Sequence, residues 1–80
     1  MTRLKANILI EKLNNILGCV RFQNSGADIH TVGNIRNVAS GLKQILEIEP
    51  YIIDESTANL IVKNTEVAVV EFFKRKYSSL

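Results

Sequence analysis

Tryptophan is missing from this chain of 80 residues, and cysteine, histidine, proline and methionine occur once each. One cysteine, Cys19, cannot close an internal disulfide, which sets a reducing, cytoplasmic location as the expectation. One histidine, His30, gives hydrolytic triad chemistry a single candidate base, and it falls where a solvated first-turn helix residue would sit. Cys19 and His30 lie eleven residues apart and match no zinc spacing, and no acidic run has the alternation of a calcium loop. The four glycines form neither a dinucleotide fingerprint nor a phosphate-binding loop. Long apolar runs are missing too. The longest, Val67-Ala68-Val69-Val70, is far below the roughly 20 residues that span a bilayer, so no membrane partner is expected. The basic start at Arg3 and Lys5 leads into Glu11 and Lys12, which cut the apolar stretch that a secretory signal needs.

What is present describes an ordinary soluble globular chain, 46% apolar and 22% charged, of a size for one domain over 1–80. The net charge of +2 is too weak to imply a polyanionic partner, but it is unevenly spread. Residues 1–46 hold six bases against two acids, 47–73 hold six acids against Lys63 alone, and Lys74, Arg75 and Lys76 follow together.

Ala6, Leu9, Leu13, Ile16, Leu17 and Val20 recur at helical steps, with Thr2 able to cap the start and Gly18 placed to end it. From Cys19 to Gln23 the period changes to two, which predicts a short strand, and Asn24-Ser25-Gly26 is turn chemistry. A long helix is expected from Asp28, its N-cap, to Glu49. Ile35, Val38, Leu42 and Ile45 carry its apolar stripe, and Pro50 stops it. Gly33 and Gly41 inside that stretch predict close packing or a kink at one of them. Tyr51-Ile52-Ile53 and Leu60-Ile61-Val62, on either side of a polar hexapeptide, read as a β-hairpin.

The last segment has strand-favouring Val67, Val69, Val70, Phe72 and Phe73. Glu66 at its start and the basic triplet at its end instead favour a helix. The expected fold is therefore α+β, a small antiparallel sheet packed against helices in the order α-β-α-β-β-α.

No constellation here supports catalysis, and no cofactor is expected. A buried structural thiol is the expected state of Cys19. So small a domain, with no disulfide and more apolar surface than it easily hides, is expected to be a non-enzymatic regulatory or protein–protein interaction module. Its partner would be itself, as a homodimer, or another protein. Candidate interface residues are Ile8, Ile10, Val69, Phe72, Phe73 and Tyr77. The alternative is a small winged-helix-like DNA- or RNA-binding regulator, with residues 51–62 as its wing. It would use Arg36, Asn37, Lys43 and Gln44 of the 28–49 helix, supported by Lys74, Arg75 and Lys76. Asp54 and Glu55 in the would-be wing oppose that reading, because they would repel phosphate.

Overall fold

The computed structural model describes residues 1–20 and 32–78, the side chain of Lys76 excepted. Three helices are built from them: α1 (Arg3–Cys19), α2 (Val32–Ile48) and α3 (Glu55–Ser78), with a 3-10 turn at Pro50–Ile52 between the last two. No strand occurs among the described residues. The expected α+β arrangement is thus corrected to a three-helix bundle.

The two ends of α1 follow the sequence in part. Thr2 caps α1, its Oγ1 accepting from the Lys5 N–H at 3.2 Å. Gly18 does not end the helix. It lies within α1, and no described residue has a positive φ; the C-cap is Val20, whose N–H donates to the Ile16 carbonyl at 3.0 Å. Of the expected strand, Cys19 is the last residue of α1, and Val20 is buried at the helix end. Residues 21–23, the Asn24-Ser25-Gly26 turn, Asp28 and His30 lie outside the described residues.

The second helix runs unbroken and ends two residues before Pro50, as a proline that disfavours helix at Glu49 requires. A Cβ built on Gly33 or Gly41 would meet nothing within 4 Å among the described residues, so neither glycine marks a close approach to them.

The largest correction falls on residues 51–62. Instead of a hairpin, Tyr51 and Ile52 complete the 3-10 turn, while Leu60, Ile61 and Val62 lie in the second and third turns of α3. Asp54 explains the switch. Its Oδ2 accepts from the Thr57 N–H at 3.2 Å, and its carbonyl accepts from the Ala58 N–H at 2.9 Å. A polar stretch suited to a turn is in fact a helix cap with Glu55 in the first turn. Once started there, α3 places Ala58, Val62, Thr65, Val69 and Phe72 at steps of four and three on one face, and burial of that face overrides the β-propensity of its branched residues. The only buried polar side chain among the described residues, Thr65, is satisfied by donating to the Ile61 carbonyl at 2.7 Å.

Packing is antiparallel between α1 and α2, and α3 runs parallel to α1. The core between them contains Leu13 and Leu46, both wholly inaccessible, with Leu9, Ile16, Ile35 and Leu42 around them. Neither α1 nor α2 carries a basic residue in its own last turn. Each receives one from the other. Arg3, at the start of α1, donates through Nη1 to the carbonyls of Leu46 (2.9 Å) and Glu47 (3.1 Å) at the end of α2. Arg36 of α2 donates through Nη1 to the carbonyls of Leu17 (2.9 Å) and Val20 at the end of α1. Carbonyls in the last turn of a helix generally lack intrahelical donors and carry the negative end of the helix dipole, so a guanidinium suits both needs.

Candidate interaction surface

Eleven large apolar side chains are at least 39% exposed among the described residues, and most fall on two stripes. On α2 and the turn after it, Val38, Ile45 and Ile48 face outward at steps of seven and three and lead to Tyr51 and Ile52. On α3, Leu60, Val67, Val70 and Tyr77 follow one another at steps of seven, three and seven, each more than half exposed. This second stripe lies on the side of α3 opposite Ala58, Val62 and Thr65. These four fit a heptad register whose other two seam positions are Lys63 and Lys74.

Between the two helices runs a groove of about 500 Å³ whose walls include Ile35 and Val38 from α2 and Ile61 and Ala68 from α3. Asn34, Asn37, Asn64 and Thr65 supply its polar points. A smaller groove between α1 and α3 brings Cys19 near Glu66, Val69 and Val70. Cys19 is an exposed thiol, which corrects the expectation that it is buried.

The expected interface residues do not form one face. Ile8 is 52% exposed and lines a shallow α1–α3 groove beside Lys5, Lys12 and Glu55. Ile10, Val69 and Phe72 are half-buried against the core. Phe73 meets the edge of Phe72 (centroids 5.5 Å apart) and stacks on Tyr77 (6.1 Å, planes 14° apart), which makes an aromatic run along the last turns of α3. Of the six, Tyr77 alone belongs to the exposed α3 stripe. Leu60, Val38, Ile45 and Ile48 were absent from the expected set. The spacing of Leu60, Val67, Val70 and Tyr77 carries that information once residues 55–78 are taken as one helix.

The basic candidates are differently placed. Arg36 is engaged with α1 as described, Lys43 pairs with Glu47 at 3.8 Å, and Lys74 pairs with Glu71 at 3.9 Å. Asn37 and Gln44 are exposed on α2, seven residues apart on its outer side, and Arg75 is exposed on α3. Lys76 is within α3. With residues 51–62 divided between the 3-10 turn, the Asp54 cap and the start of α3, there is no hairpin to serve as a wing.

No helix among the described residues is long and apolar enough to cross a membrane. No family model matches the chain, and neither a curated protein nor a solved structure shows significant similarity to it.

Proposed function

We propose that this chain is a non-enzymatic protein-interaction module that works as a homodimer, docking helix against helix. The observation that carries this reading is the outward apolar stripe of α3, with Leu60, Val67, Val70 and Tyr77 between 52% and 61% exposed and regularly spaced. Exposed apolar side chains scattered singly are normal on any protein, whereas these four share one side of a 24-residue helix, with Lys63 and Lys74 between them. The short core supports the same reading. A domain of this size buries little apolar area, and association is the remaining way to add to it in the absence of a disulfide.

Sedimentation velocity from 1 to 200 μM tests the proposal on the intact chain. The expected result is a species of twice the 9.0 kDa chain mass that dissociates on dilution. A single 9.0 kDa species throughout would overturn it.

A further inference from the structure

We draw no further inference here: the strongest candidate, the apolar groove between α2 and α3 walled by Ile35, Val38, Ile61 and Ala68, carries none because nothing in the structure shows what covers it.

Discussion

The α1–α2 pair and α3 are held in this bundle by different means. In the pair, nine of 34 residues are buried hydrophobics, and each helix closes the other's carbonyl end with an arginine. In α3, which has 24 residues, the buried ones among those described are only Ala58, Val62 and Thr65. A half-exposed ion pair, Lys5 to Glu55 at 3.2 Å, joins its start to α1. The first two helices have satisfied one another, while the third divides its apolar residues between an inner face and an outer one. A helix with two apolar faces in a three-helix domain has one neighbour too few, and that is the physical content of the proposed dimer.

The sharpest way to break this contrast is to shorten one leucine on each side of it. Leu46→Ala, at a wholly inaccessible site between α1 and α2, is expected to cost about 2–5 kcal/mol in urea denaturation at low concentration. Leu60→Ala on the outer face of α3 should cost below about 0.5 kcal/mol under the same dilute conditions. Equal losses would erase the distinction. Next in size is Arg36→Met, which leaves the Leu17 and Val20 carbonyls without their charged donor and is expected to remove about 1–3 kcal/mol. A change within ordinary surface scatter would mean that water replaces the guanidinium without loss. Gly41→Ala acts in the other direction. It should raise the stability of the dilute chain by roughly 0.5–1 kcal/mol, since helix propensity improves and the new methyl meets nothing. A loss on thermal melting would reveal a constraint at that site. Smallest is the Lys5–Glu55 coupling, expected below about 0.5 kcal/mol in a double-mutant cycle because both groups stand about half exposed.

Much of α1 and α2 was legible in the order of residues. Ala6, Leu9, Leu13 and Ile16 keep helical time and are all buried, Thr2 caps as its hydroxyl allows, and Pro50 ends the helix before it. The first half of α3 and the turn before it were not. Tyr51-Ile52-Ile53 and Leu60-Ile61-Val62 are rich in branched and aromatic side chains that fit a pleated strand, and Asp54-Glu55-Ser56-Thr57 serves a turn as well as a helix cap. The tie was broken at long range, by the match of Ala58 and Val62 to the core made by the other two helices. The arginine contacts were hidden for the same reason. Arg36 on a polar stripe looks like a phosphate-binding side chain until the helix end that it reaches is known. Charge reversal there would change folding stability and binding together.

The two arginines have one more consequence, which concerns alignment. They grip the antiparallel pair from opposite ends, Arg3 near one and Arg36 near the other. An apolar seam of Leu, Ile and Val tolerates sliding, because one turn later it meets similar side chains. Such a slip moves one helix by about 5.4 Å past its neighbour. It would pull both guanidinium groups from their carbonyls at once, since neither can follow in the direction that rescues the other. The pair therefore behaves like a sliding fit with a stop at each end. Greasy contacts supply the adhesion, and two hydrogen-bonded charges select a single register from those that the leucines alone would accept.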